Sequence, residues 1–429
     1  MLFPSVAGIP NKPSSGLRNG LSFTQQRITL PRGQSRWDIG VTSTSPRTAD
    51  RAILIPMTEV YVDHAATTPP RPEVIRAMEP YRLQVYGNPS GQHGVARRAK
   101  NALEEAREQI SHLLDVAPST VVFTSGGTES DNLAILGRAL SDDGRNGVVV
   151  SAVEHEAVLE AAELCRRLGY EVEVVPVDGD GQVDPERVAA VVSQDTAVVS
   201  VMAANNETGV VQPVSEIAHA VHEVDSGVTV HCDAVQWAVS RPLPVEGVDL
   251  LTICGHKLGG PRGVGVLVVP EGVPLAPTVV GGGQELGRRS GTPDVAAAVG
   301  MAAAMTAARD DRDRFASEVG DARKRFEATV LDARPEIEIT GRDVDRLVQH
   351  SHLSVPGTSN ETVVINLDRA GVSASVGSSC QSGAATPSHV LTAMGWPTER
   401  SRTALRFTFG WNTTTTAADY AAKTLVGLL

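Results

Sequence analysis

Lysine is scarce in this sequence. Of its 38 Lys and Arg residues only Lys12, Lys100, Lys257, Lys324 and Lys423 are lysine, so wherever a plain positive charge serves, the chain carries arginine. No apolar run approaches the roughly 18–20 residues that a membrane-spanning helix needs, and no membrane segment is expected. A basic surplus is missing too. The formal net charge is −12, which argues against direct binding to a nucleic acid backbone. The four cysteines, Cys165, Cys232, Cys254 and Cys380, form no C-x-x-C pair, so neither a zinc ribbon nor a disulfide framework is indicated. That usage suits a reducing, cytoplasmic setting.

Acids nearly vanish from residues 1–56, which hold only Asp38 and Asp50 amid Ser, Pro, Gly and Arg. No helical or strand period runs through them, and such composition predicts a disordered leader or start-site extension. Met57 stands just before the first strand-like run, "EVYVDHAATT", and is the expected natural start. An Arg-rich, acid-poor leader is also what an organelle transit peptide looks like.

From residue 57 the pattern alternates. Apolar, β-branched runs begin at positions 121, 147, 170, 196, 228, 249 and 263, separated by amphipathic stretches. The pattern predicts an α/β fold with a mostly parallel sheet covered on both faces. Residues 95–115 keep a 3.6-residue apolar period and read as a packing helix. Beyond 293 a long Ala-rich helical stretch runs to about 333, followed by short strands and helices. We therefore expect a large domain over 71–310 and a smaller α+β domain over 57–70 and 311–429.

Open parallel sheets place reactive groups beyond the carboxyl ends of their strands, and four polar clusters fall there. "TSGGTESDN" puts Gly127 and Thr128 at a helix start, a phosphate cradle or an ordinary cap. "HCDAVQ" supplies Asp233 and Gln236, where the carboxylate is a site group or another cap. "TICGHKLGG" places Lys257 at the end of a strand, after Cys254 and His256. Lysine can lose its proton when desolvated and then act as nucleophile or base, which arginine cannot. "VGSSCQSGAAT" sets Cys380 among small, polar residues, in an environment that suits an exposed, reactive thiol better than a packed one. An amine for an imine, a carboxylate for a pyridinium nitrogen and a helix start for a phosphate are together what pyridoxal 5'-phosphate requires. The acidic stretch "DGDGQVDPERVA" lacks the Gly and Glu of a calcium loop, carrying Val183 and Ala189 instead, so it reads as a turn and no metal is expected.

From about residue 60 to the C-terminus the sequence closely resembles the cysteine desulfurases of the NifS and IscS type. These belong to the class V aminotransferase branch of the PLP-dependent transferases of fold type I. The resemblance is carried by "YVDHAATTPP", "GNPSGQH", "TSGGTESDNLAI", "VEHEAV", "NNETGVVQP", "HCDAVQ", "GHKLGGPRGVG", "GGGQELGRRSGTPD", "GSSCQSGAATPSHVL" and "LRFTFG". It implies that Lys257 forms the imine with the cofactor and that His155 stacks on its ring and handles protons. It implies that Asp233 pairs with the ring nitrogen, and that Asn206 and Gln236 address the phenolic oxygen. Gly127, Thr128, Cys254 and His256 would hold the phosphate, joined in a homodimer by Thr292 of the neighbouring subunit. Arg406, with Asn206, would bind the substrate carboxylate, and Cys380 would accept sulfur. Two departures stand out. Cys254 occupies a position where the family often has serine, a stronger donor, and Leu286 one where arginine is common.

The activity so implied is conversion of L-cysteine to L-alanine with transfer of sulfur to Cys380 as a persulfide. From there sulfur would pass to an acceptor protein, for iron–sulfur cluster assembly or another thiolation. A PLP-dependent aminotransferase or β-eliminating lyase on the same scaffold is the alternative enzyme. A catalytically idle sulfur-transfer scaffold is the alternative of another class.

Overall fold

Near-continuous burial along the apolar runs decides the architecture, as expected of strands covered on both faces. The computed structural model describes residues 59–141, 143–377 and 387–429, which belong to a compact unit spanning Pro56–Leu429. The leader and Cys380, with its flanks Ser378, Ser379, Gln381, Ser382 and Gly383, lie outside the described residues.

A short strand, β1 (Val60–Tyr61), precedes seven strands that correspond to the seven apolar runs: β2 (Val121–Thr124), β3 (Gly147–Ser151), β4 (Glu171–Val175), β5 (Thr196–Ser200), β6 (Thr229–Asp233), β7 (Leu250–Cys254) and β8 (Gly265–Val268). They form one sheet in the order β2-β8-β7-β6-β5-β3-β4. Only β8 runs antiparallel to its neighbours β2 and β7. A parallel neighbour needs a crossover of a dozen or more residues, and the ten between Cys254 and Gly265 hold only a turn.

Period-two burial covers both sheet faces. Val149, Val199, Val230, Leu251 and Ile253 pack into one layer with the helices Gly94–Leu114, Val214–Val224 and Val295–Asp310. Val148, Val150 and Val198 face the other layer, against Gly127–Ala139 and Glu156–Arg167. The helix expected over 95–115 is Gly94–Leu114, burying Ala99, Ala102, Leu103, Ala106, Ile110 and Leu114, and Asp115 ends it in the left-handed conformation (φ 53°).

The Ala-rich stretch is two helices, Val295–Asp310 and Arg312–Ala333, meeting at Asp311. After them come β9 (Glu338–Ile339), β10 (His350–Ser354), β11 (Val372–Ser373) and β12 (Ala404–Thr408). β12, β10 and β9 form an antiparallel sheet, and β1 pairs with β11. A separate apolar cluster centres on Phe326, whose ring lies 4.6 Å from that of Phe407 and 5.6 Å from that of Phe409. No helix among the described residues is long and apolar enough to cross a membrane.

Candidate active site

Because β2, β3, β5, β6 and β7 point the same way, their carboxyl ends deliver polar residues to one edge of the sheet. After β2, Gly126 caps the helix Gly127–Ala139 without any side-chain hydrogen bond, so the first amides remain open to an anion. Thr128 is exposed there. Gly127 packs tightly: an added Cβ would stand 3.2 Å from Val235 Cγ2 and 3.8 Å from Cys254 Cβ. That contact joins the helix start to the ends of β6 and β7.

After β3, His155 caps the helix Glu156–Arg167 by accepting the Ala157 N–H at Nδ1, 3.1 Å away. The accepting Nδ1 puts the proton of the neutral ring on Nε2. Burial lowers the pKa of His155, the Lys257 charge lowers it further, and the Asp233 carboxylate opposes both. The imidazole is thus held neutral, as an Nε2 donor.

Asp233 is the last residue of β6. It faces the same layer as His231, which lies between Ser200 Oγ (2.8 Å) and Thr252 Oγ1 (3.0 Å). The Asp233 carboxylate accepts the Val235 N–H at 2.9 Å. Burial raises its pKa, while His155, that amide and Lys257 lower it. A buried carboxylate in such a balance takes a cationic partner readily.

Lys257 was expected at the end of a strand. The strand stops at Cys254 instead, and Lys257 closes a 3₁₀ turn, Gly255–Lys257. Gly255 N–H bonds back to Val264 O, and the amides of Leu258 and Gly260 both return to Gly255 O, so the chain reverses immediately. Lys257 Nζ donates to Ala65 O and, at 2.7 Å, to Ala66 O, while Gln236 Nε2 donates to the same Ala65 carbonyl at 3.0 Å. His256 Nδ1 meets Thr67 Oγ1 at 3.1 Å, and its carbonyl accepts the Thr68 N–H. Burial lowers the His256 pKa to about 4. The "DHAATT" segment therefore lies directly on the lysine turn. Cys254 is buried, and burial pushes its thiol up to about 12, so it is present as a neutral S–H.

Asn206 follows β5 and is half-buried; its backbone carbonyl accepts Arg406 Nη1 at 3.1 Å. Arg406, in the centre of β12, also reaches Gly377 O (3.2 Å) and Asp63 Oδ1 (2.8 Å), and its buried Nε has no hydrogen-bond partner among the described residues. Thr292 stands apart from these groups, exposed beside Arg289 and Asp294 at a cavity that Phe123 and Glu285 also line. Leu286 is exposed, and Arg288 donates to Ser119 O. Of the remaining candidates, Cys165 and Cys232 are buried packing residues, and His222 pairs with Asp249 on a helix whose His219 is exposed. The acidic stretch is a turn closed by Asp178 N–H to Gln182 O.

Sequence reasoning missed several groups. Asp63 and Glu207 lie within the quoted "YVDHAATT" and "NNETG" stretches, yet nothing local marks them as partners of Arg406 and Ser388. Glu154 and Asp131 are wholly buried carboxyls near Asp233, with burial raising the pKa of each. Their neighbours, Ser130 and Asn132 for Asp131 and His155 for Glu154, are polar, so nothing local marks either as buried.

Residues 60–420 match the family described as aminotransferase class-V. The chain is 39% identical over 371 residues to the cysteine desulfurase IscS of Dictyoglomus turgidum, covering 86% of this chain and 93% of that protein. Among solved structures it is similar to a NifS-like protein, with TM-score 0.81, 33% identity, and 86% and 99% of the two chains covered. It is also similar to SspA in complex with cysteine, with TM-score 0.70, 30% identity, and 81% and 98% covered. With the sheet order and this match over nearly its whole described length, the chain belongs to the cysteine desulfurases of the NifS and IscS type, within the class-V aminotransferase family.

Proposed function

We propose that the protein is a pyridoxal phosphate-dependent cysteine desulfurase that converts L-cysteine to L-alanine and carries the sulfur away on Cys380. The observation that carries this reading is the convergence of Lys257, Asp233, His155 and the uncapped amides at Gly127 at one edge of the sheet. The residues fit the cofactor. A buried carboxylate raised by desolvation suits a pyridinium, and an open helix start beside Cys254 suits a phosphate.

Gly127, Thr128, Cys254 and His256 would hold the phosphate, and Thr292 would reach it from a second subunit of a homodimer. Asp233 would keep the ring nitrogen protonated, with Asn206 and Gln236 at the phenolic oxygen. The cofactor supplies an electron sink conjugated to the substrate nitrogen. Lys257 is the residue that binds it covalently and then moves the Cα proton as general base and acid. Arg406 orients the substrate through its carboxylate, using the donor capacity left at Nε. His155 would manage the substrate thiol, its Nε2–H, the protonated nitrogen of the neutral ring, donating a hydrogen bond to the substrate sulfur.

Cys380 attacks the substrate sulfur as thiolate: an S–S bond forms, the Cβ–S bond breaks, and its electron pair ends with a proton on what becomes alanine. The persulfide sulfur passes to an acceptor protein, of which an iron–sulfur cluster scaffold is the one we favour. The test is release of alanine and sulfide from L-cysteine under a thiol reductant. Lys257→Ala should lose activity together with the visible imine absorbance, and Cys380→Ala should lose activity but keep that absorbance. Wild-type turnover by Cys380→Ala would replace this reading with β-elimination.

A further inference from the structure

Glu207 follows Asn206 directly and is buried, 3% exposed, with Ser388 Oγ donating to its Oε2 at 2.7 Å. Ser388 lies just beyond the segment that carries Cys380. Its hydroxyl also accepts the Leu391 N–H at 3.2 Å, capping the helix His389–Ala393, so its single proton is left for Glu207. The other end of the same segment, Gly377, lies close to the same carboxylate oxygen, while its N–H goes to Ser375 Oγ. A Cβ built on Gly377 would stand 3.1 Å from Glu207 Oε2, and its φ of +93° favours glycine in any case. Gly377 O is in turn held by Arg406 Nη1, which shares its protons with Asn206 O.

The two-residue stretch Asn206–Glu207 thus receives both ends of the segment, and it is rigidly built. Asn205 Oδ1 accepts the N–H groups of Glu207 (2.9 Å) and Thr208 (3.0 Å), while its Nδ2 donates to Val153 O. A second tether lies beside Ser388: His389 Nε2 donates to the carbonyl of Glu154, the residue before His155. A buried carboxylate is a costly way to fill space. Here its oxygen binds one chain end, at Ser388, and lies beside the other, at Gly377.

We propose that Glu207 is a positioning residue for sulfur transfer, anchoring the Cys380 segment through Ser388 at one end and lying against Gly377 at the other, which Arg406 holds beside Asn206. The inference rests on the desulfurase reading. Attack on the substrate sulfur needs reacting atoms roughly 3–3.5 Å apart, and misplacement by about 1 Å costs on the order of 100-fold. Chemistry at Lys257 makes no such demand on Glu207.

Two substrates separate the two steps. L-cysteine requires Cys380, whereas β-chloro-L-alanine loses chloride without a thiol acceptor and yields pyruvate and ammonia. For the cofactor-loaded full chain, Glu207→Ala and Ser388→Ala should keep the imine absorbance and the kcat for β-chloro-L-alanine within about twofold, while single-turnover persulfide formation on Cys380 falls at least about tenfold. Glu207→Gln, which retains an acceptor oxygen for Ser388, should restore most of that rate. Persulfide formation at the wild-type rate, or an equal loss with both substrates, overturns the inference. Should Glu207→Ala fail to take up cofactor, Ser388→Ala, which removes one hydroxyl, decides by the same readout. Wild-type protein that forms no persulfide on Cys380 overturns the desulfurase reading and this inference with it; wild-type persulfide with an unimpaired Glu207→Ala overturns the inference alone.

Discussion

Arg406 Nη2 lies 2.8 Å from Asp63 Oδ1, across 343 residues of chain. The guanidinium is 2% exposed and the carboxylate 19%, so the pair is mostly out of water. It joins β12 to the segment that lies on the Lys257 turn. The charge proposed for the substrate carboxylate is therefore already oriented by the protein.

Removing Asp63 leaves that guanidinium buried against two carbonyls without the carboxylate that pairs with it. Asp63→Ala should cost about 3–5 kcal/mol of unfolding free energy, the usual penalty for stranding one partner of a buried pair. Asp63→Asn, which keeps an acceptor oxygen, should cost less. Denaturant midpoints of the two variants against wild type check this, and a wild-type midpoint for Asp63→Ala would show that the pair adds nothing to stability.

Arg406→Lys keeps the charge but loses the planar fork that reaches Asn206, Gly377 and Asp63 together. The KM for L-cysteine should rise roughly 10-fold or more, with a smaller change in kcat, as expected for an interaction made in both ground and transition states. Steady-state alanine release measures both constants.

Glu154 gives a pH signature. Burial, as the largest cause, raises its pKa from 4.5 to about 8, although it accepts bonds from Ser151 and from Met202 N–H. Between those values the native state holds a proton that the unfolded state has released. This group therefore destabilises the fold progressively as pH rises from about 4.5 to about 8, and by a constant amount above that. Glu154→Gln removes the effect. Its stability relative to wild type should climb by about 1.4 kcal/mol per pH unit through that window, measured by chemical denaturation at several pH values. A flat difference would show the carboxyl ionised in the native protein.

Leu286 adopts φ 57°, ψ 32°, the left-handed region, and the residue is 75% exposed. Preceding it, Glu285 shares the positive φ but is compensated by paired bonds to Arg107 at 2.8 and 2.9 Å and by the Phe123 N–H. Leu286 has no such compensation among its described contacts. Leu286→Gly should stabilise the protein by about 1 kcal/mol, read as a higher denaturant midpoint with unchanged slope.

The seven sheet strands were legible because their apolar runs are short, β-branched and bounded by polar helical stretches. Their spatial order was not, since β8 sits between β2 and β7 through contacts that no local pattern encodes. Lys257 was singled out from chemistry, as one of only five lysines in an arginine-rich chain and set in a Gly-rich turn between apolar runs. Its 3₁₀ turn was not, because that depends on Gly255 bonding to Val264. Asp63 and Glu207 escaped for the same reason: each finds its partner 343 or 181 residues away. Cys380 was singled out by its small, polar neighbours, and it lies outside the described residues.

The measurement closest to the central claim is peptide mass analysis after one turnover of the cofactor-loaded protein with L-cysteine, without reductant. The account predicts one equivalent of alanine and one added sulfur on the peptide containing Cys380, with none on those containing Cys165, Cys232 or Cys254. Stoichiometric alanine with no sulfur on Cys380, or pyruvate and free sulfide in its place, would contradict it.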